Sequence, residues 1–163
     1  AGGRERCRAG RGGDLVTPVK QTIKHDPTKG QYGDCHRAAI ATVLDLPIED
    51  VPHFVHDDCS PEEFCRRERA FLAQHGLTSL HFAYQAPDLQ TILDTVAAFN
   101  GQDTVYLVGG LSPRGVNHSV VARGNALVHD PSPNDGFLVG PCDDGWWWLT
   151  FFGSTRVNAK EAA

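Results

Sequence analysis

The sequence predicts an α+β fold built on an antiparallel sheet, and three observations carry that expectation. Three segments between residues 35 and 100 show helical spacing with legible caps. Four short runs after residue 103 are apolar, β-branched or aromatic, and are broken by Gly, Pro and Asn. Helix-type segments come first and strand-type segments later, instead of alternating as βαβ units require.

The first helix is expected at residues 35–44. Asp34 stands at its N-cap, Ala38, Ala39, Ile40, Ala41, Val43 and Leu44 give a mostly buried surface, and Pro47 follows its end. The second begins at Ser60-Pro61-Glu62-Glu63, where Ser60 can cap, Pro61 fits the first helical position and Glu63 completes a capping box. It should run through Phe64, Phe71 and Leu72 and stop at Gly76. Asp88 caps a third helix that places Leu89, Ile92, Leu93 and Val96 on one face and ends at Gly101. Strands are expected at residues 104–108, 118–123, 126–130 and 146–152. In the last of these, alternation sends Trp146 and Trp148 to one face and Trp147 to the other, which suits a core-facing strand better than a ligand-stacking surface. Residues 15–33 read as loop, with an extended piece at 19–23 and a turn-rich stretch at 25–33.

A chain of 163 residues suits one domain with its own core. The expected organisation is a disordered Arg/Gly-rich tail at 1–14, a single domain at 15–157 and a short tail at 158–163. Net charge is −5, but the first fourteen residues set Arg4, Arg6, Arg8 and Arg11 against Glu5 and Asp14, leaving the body at −7. A body of that sign is poorly suited to tracking phosphates, which argues against nucleic acid as the partner. No apolar run approaches the roughly 18 residues of a membrane span, and no basic-then-apolar export signal opens the sequence. The five cysteines are odd in number and irregularly spaced, so reduced thiols in a cytoplasm are expected and a disulfide framework is not.

Cys35 carries the chemical interest. At a helix N-terminus, unpaired N–H groups and the positive dipole end stabilise a thiolate, and the same donors can hold an oxyanion. Asp34 opposes this with a negative charge next door. A thiol nucleophile also needs a base and a group that fixes the base's tautomer. His118 opens one expected strand and Asp130-Pro131 ends the next, with His129 and Asp135 as competitors for the two roles. A strict two-residue turn at Gly124-Asn125 would pair Ser119 with Asp130 and put His118 and Asp130 on opposite faces. A longer or bulged connection pairs Val120 with Asp130 and brings both to one face, and this is the register expected.

The stretches GQYGDCHRAAIATVLDLPIEDVPHF and LSPRGVNHSVVARGNALVHDPSP resemble small phage and prophage proteins. These in turn resemble papain-like cysteine peptidases, particularly the leader-peptide (double-glycine) peptidases of bacteriocin exporters. The similarity spans residues 19–137. It implies a papain-like fold, with a helical part carrying the nucleophile packed on a C-terminal antiparallel sheet. It further implies Cys35 as nucleophile, His118 as base and later acid, and Asp130 as the orienting residue. A glutamine should complete the oxyanion hole. Neither Gln31, four residues before Cys35, nor Gln21, fourteen before it, sits at the family's usual spacing. Gln21 is preferred, provided residues 25–33 form an excursion, and Gln31 is the alternative. His36 and Arg114 are expected to touch substrate.

The implied activity is hydrolysis of an amide, peptide or isopeptide bond through a thioester, on a peptide or protein-derived substrate, with no cofactor and no metal. Acyl transfer or deamidation uses the same intermediates. A catalytically inactive binding module of the same fold is the rival from another class, and the host cytoplasm is the expected location if the chain is phage-encoded. His53, His56, Cys59 and Cys65 suggest zinc by composition, but their spacing follows no strong zinc pattern.

Overall fold

The helix boundaries follow the caps. In the computed structural model, which describes residues 17–155, helix α1 spans Cys35–Leu44, α2 Pro61–Gln74 and α3 Leu89–Asn100. Both expected tails, the domain limits at 15 and 157, and Cys7 lie outside the described residues. Ser60 Oγ accepts from Glu63 N at 3.3 Å, and Asp88 Oδ1 from Thr91 N at 2.7 Å, so α2 and α3 start with satisfied donors. The capping box of α2 is half made: the Glu63 carboxylate turns away to Arg66 and Arg67.

Five strands form one antiparallel sheet: β1 (Leu77–Tyr84), β2 (Val105–Leu111), β3 (Asn117–Arg123), β4 (Ala126–His129) and β5 (Trp147–Ser154). Their spatial order is β1-β5-β2-β3-β4. The α+β class holds, but its simple order, helices then strands, does not. Strand β1 lies between α2 and α3 and pairs along its whole length with β5, from Leu77↔Ser154 to Tyr84↔Trp147. It is an edge strand in which Leu80, Phe82 and Tyr84 alternate with Ser79, His81 and Ala83, and this apolar row stays about half exposed.

Helices cover both faces. Leu107 of β2 and Val121 of β3 pack with Ala39, Ile40 and Ala41 of α1 and with Phe71 and Leu72 of α2. Their neighbours Tyr106, Val108, Val120 and Ala122 pack with Ile92, Leu93 and Val96 of α3, joined by Trp147 and Leu149 of β5. The period-2 alternation of β2 and β3 thus splits one sheet between two cores. Trp147 points inward, while Trp146 and Trp148 remain partly exposed.

The β3–β4 hairpin resolves the register question. Arg123 pairs with Ala126, so Gly124-Asn125 is a two-residue turn, with Gly124 at φ 55°. Opposite Val121 and Ala122, a bulge on the β4 side, where Val128 is the extra residue, then shifts the pairing from Ala122↔Leu127 to Val121↔His129. Continuing that register sets Val120 opposite Asp130. The bulge, not a longer turn, supplies the extra residue.

Gly110 pairs with His118 across β2 and β3. A Cβ at this position would lie 2.7 Å from the Gly140 carbonyl oxygen and 2.8 Å from the Trp147 ring, and the backbone oxygen has nowhere to move. Gly110→Ala is therefore expected to destabilise the fold by about 1–3 kcal/mol through overpacking. Urea denaturation checks this: the midpoint should fall with the slope unchanged.

Candidate active site

Three chain segments converge at the start of β3. Helix α1 brings Cys35 at its first residue, β3 brings His118, and the loop after β4 brings Asp130. With Gln21, Gly33, Arg114 and Phe137 these line a cleft of about 110 Å³.

His118 and Asp130 are buried, with 7% and 0% of their side chains exposed, and His118 Nε2 lies 2.6 Å from Asp130 Oδ1. A carboxylate accepts, so Nε2 carries the proton of that bond and Nδ1 is the nitrogen left for Cys35. Burial pulls the His118 pKa down, but the hydrogen bond and charge of Cys35, and then those of Asp130, outweigh it and raise it above 6.5. Burial pushes the Asp130 carboxyl up, and the bonds from His118, Ser132 N and Phe137 N more than reverse this, leaving it lowered.

Asp130 is held from three sides. Ser132 N donates to Oδ1 at 2.7 Å in an Asx turn, and Phe137 N donates to Oδ2 at 2.6 Å. Phe137 adopts φ 50° to do so, a left-handed conformation that a bulky residue rarely takes. The Asp-Pro-Ser turn was legible in sequence; the return of Phe137 to the same carboxylate, seven residues on, had no sequence signal.

Asp34 corrects one expectation. It occupies the N-cap position of α1, yet its side chain makes no cap hydrogen bond. Its buried carboxylate instead accepts from Thr22 N, Thr22 Oγ1 and Ile23 N at 2.8–3.0 Å, with Arg37 Nη1 at 3.6 Å. That carboxylate is thus held by the 22–23 segment and not by the first turn of α1. The helix N-terminus stays uncapped by that side chain.

The same bonds fix Gln21. Its N–H donates to Pro131 O at 2.8 Å, and its side-chain amide donates to Ile23 O at 3.0 Å while lining the cleft. Val19 on one side is bound through Thr42 Oγ1 of α1 and the His129 ring, and Lys20 through the Asp130 and Ser132 carbonyls. The chain then leaves at Ile23 and returns at Asp34, whose N–H donates to Ile23 O at 3.1 Å, with Asp26 and Gln31 bridged between. Residues 25–33 are an excursion, and Gln31 stands on it, exposed, with its amide on Lys24 O. Gln21 is at the cleft; Gln31 is not among its lining residues.

The competitors are engaged elsewhere: His129 holds Val19 O at 2.7 Å, and Asp135 pairs with Lys20. Arg114 lines the cleft with Nη2 on His25 O at 2.8 Å. His36, expected beside substrate, turns into the protein, between Ser119 Oγ at 3.2 Å and Glu68 Oε1 at 3.1 Å. As the second residue of α1 it points away from the cleft that Cys35 faces. His53 bonds to Tyr32 O, and Cys59 to Phe54 O. Among the described residues, no group of three His, Cys, Asp or Glu side chains is arranged to hold a metal ion.

Comparison with family models, with curated proteins and with solved structures returned no match for this chain.

The raised His118 pKa has a definite sign in the pH dependence of stability. Its contribution is complete below the unfolded value near 6.5 and is lost as pH rises through the folded value. That of Asp130 is present above the ordinary value near 3.8 and is lost as pH falls through its lowered one. The pair should therefore contribute most between about pH 4 and 6.5. In an NMR titration, the His118 ring should titrate above 6.5 in the wild type and distinctly lower in Cys35→Ala. An unchanged titration would show that the thiol does not reach the ring.

Proposed function

We propose that this chain is a papain-like thiol hydrolase that cleaves an amide, peptide or isopeptide bond with Cys35 as nucleophile. The observation that carries the reading is the buried His118–Asp130 pair at 2.6 Å, with its second ring nitrogen left for a cysteine at a helix N-terminus. The cleft is also far smaller than the roughly 300–1,000 Å³ of pockets that engulf small ligands, which favours an extended chain lying across the surface.

In this reading the Cys35 proton passes to His118 Nδ1, giving a thiolate beside an imidazolium. The thiolate attacks the substrate carbonyl. The backbone N–H of Cys35 and the amide of Gln21 hold the oxyanion. His118 then returns its proton to the leaving amine, and a thioester remains on Cys35. Water, deprotonated by His118, attacks the thioester and releases the acid. An amine acceptor in place of water gives acyl transfer, and a glutamine side chain as substrate gives deamidation. Arg114, anchored on His25 O, presents its remaining donors to the substrate at the cleft mouth.

One observation favours an inactive binding module of the same fold: the Gln21 amide already spends one donor on Ile23 O. Selective alkylation separates the two readings. Iodoacetamide with mass mapping across pH 4–9 should label Cys35 well below the free-thiol pKa of about 8.5. His118→Ala should slow that labelling at pH 6 by about 10- to 100-fold, since the thiolate fraction reverts to that of an unassisted thiol. Labelling of Cys35 no faster than that of Cys59, and indifferent to His118→Ala, would sink the hydrolase reading. Cys142 serves as the inert internal control, because burial and the charges of Asp144 and Asp143 push its thiol up to about 12.

A further inference from the structure

Outside the cleft, α1, α2 and β1 enclose a chain of two histidines and one buried carboxylate. The Glu68 side chain of α2 is fully buried. Its Oε1 meets His36 Nε2 at 3.1 Å, and its Oε2 meets His81 Nε2 at 2.7 Å and accepts from Ser79 Oγ at 3.2 Å. The outer nitrogens of both rings are also used. His36 Nδ1 lies 3.2 Å from Ser119 Oγ on β3, and His81 Nδ1 lies 3.0 Å from Thr150 Oγ1 on β5. Phe64 packs edge-on against the His36 ring at 5.1 Å and Phe54 at 6.4 Å. The imidazole has one orientation, fixed by both nitrogens and by its aromatic neighbours.

The place of this ring in the chain gives it a consequence for the site. His36 follows Cys35 directly, and Ser119 follows His118 directly. A single hydrogen bond therefore joins the immediate neighbours of the two reacting groups. The other end of the same ring is moored to a carboxylate that cannot move without losing His81 and Ser79. We propose that His36 is a positioning residue: moored by Glu68, it ties the N-terminus of α1 to β3 and so sets the approach of the Cys35 sulfur to the His118 ring.

This inference rests on the thiol-hydrolase reading, because it assigns a role within the Cys35–His118 pair. The bonding of Glu68 suits a fixed mooring: although desolvation raises its pKa, the bonds from His36 and His81 bring it down to about 2. Such a mooring predicts a chemical effect distinct from a loss of stability.

The test is the pH profile of Cys35 alkylation in His36→Ala, His36→Gln and Ser119→Ala, measured beside the wild type and His118→Ala, with thermal melting of each. Ser119→Ala removes one half-buried hydroxyl and keeps the protein foldable even if His36→Ala does not fold. The expected result is about a 10-fold slower alkylation at pH 6 in His36→Ala and Ser119→Ala, as a small misplacement of a reacting group produces. The inflection should move toward that of a free thiol, and His36→Gln, which keeps a hydrogen-bonding side chain, should recover part of the rate. Profiles that superimpose on the wild type, whatever the melting temperatures, would overturn the positioning role alone. A wild type whose Cys35 reactivity does not depend on His118 would overturn the parent reading and this one with it.

Discussion

The close packing of α1 on β3 is the contact on which the rest depends. Four successive residues of the helix, Ala38, Ala39, Ile40 and Ala41, have no exposed surface, so α1 is enclosed on every side and not merely along a stripe. Three of those four are alanines. Their small side chains let the helix axis lie close to the strand, and that closeness brings the first residue of α1 to the first residues of β3. A larger residue here would lift the helix and separate Cys35 from His118 before it disturbed either side chain. The extended segment at residues 19–23 is fitted to the same helix through Thr42, whose hydroxyl accepts from Val19 N and donates to Ala38 O.

Around the exposed end of that helix stand three buried carboxylates, Asp34, Glu68 and Asp130, each at 1% exposure or less. Isolated charges in such positions are expensive, and even paired ones contribute little net stability compared with apolar residues of equal volume. Each of these has its full set of partners, and no buried side-chain nitrogen or oxygen among the described residues lacks a hydrogen bond. What they supply is direction. Asp34 fixes the segment that presents Gln21, Glu68 fixes the ring beside Cys35, and Asp130 fixes the ring of His118. Removing one partner of any set leaves a buried charge unmatched, which is why such groups hold geometry more firmly than an apolar contact does.

Much of this was legible in the residues. The three helices were readable because their caps are local chemistry: Ser60-Pro61 and Asp88 act on donors three residues away, and Gly101 ends the helix it follows. The four later strands were readable from composition. The Cys35, His118 and Asp130 set was readable as an order of residue types, and the shared face of the last two required a bulge that periodicity alone could demand but not place. Side-chain direction was the limit. At Asp34 the sequence identifies a capping residue, but the nearby chain offers it better donors in Thr22 and Ile23. At His36 the sequence puts a polar ring beside Cys35, but a helix turns each residue by about 100°, and one step is enough to leave the cleft. Strand β1 was missed although Leu80, Phe82 and Tyr84 alternate with Ser79, His81 and Ala83; its apolar row is the half-exposed one, and the polar Ser79 is the buried side chain. Glu68 reads as one more charge on a helix until the fold places two histidines against it.

The balance of forces on His118 bears on why a buried carboxylate suits the proposed chemistry. Burial is the largest influence on the ring and favours its neutral form, while Cys35 and Asp130 together favour the charged one. With Cys35 as a free thiol both opposing influences act, and they favour the imidazolium that the proposed thiolate requires. In the proposed mechanism, acylation would change one of them. Once the sulfur is bound in a thioester, its negative charge and its hydrogen bond are gone, and the ring is left with burial against Asp130 alone. The pKa of His118 would then fall at the step where the proposed mechanism needs a neutral imidazole to take a proton from water. Asp130 remains in place throughout, keeping Nε2 protonated and Nδ1 turned to the reacting atoms. In the proposed mechanism a single fixed pair would therefore serve as acid and base in turn, with the covalent state of Cys35 setting which role the ring takes.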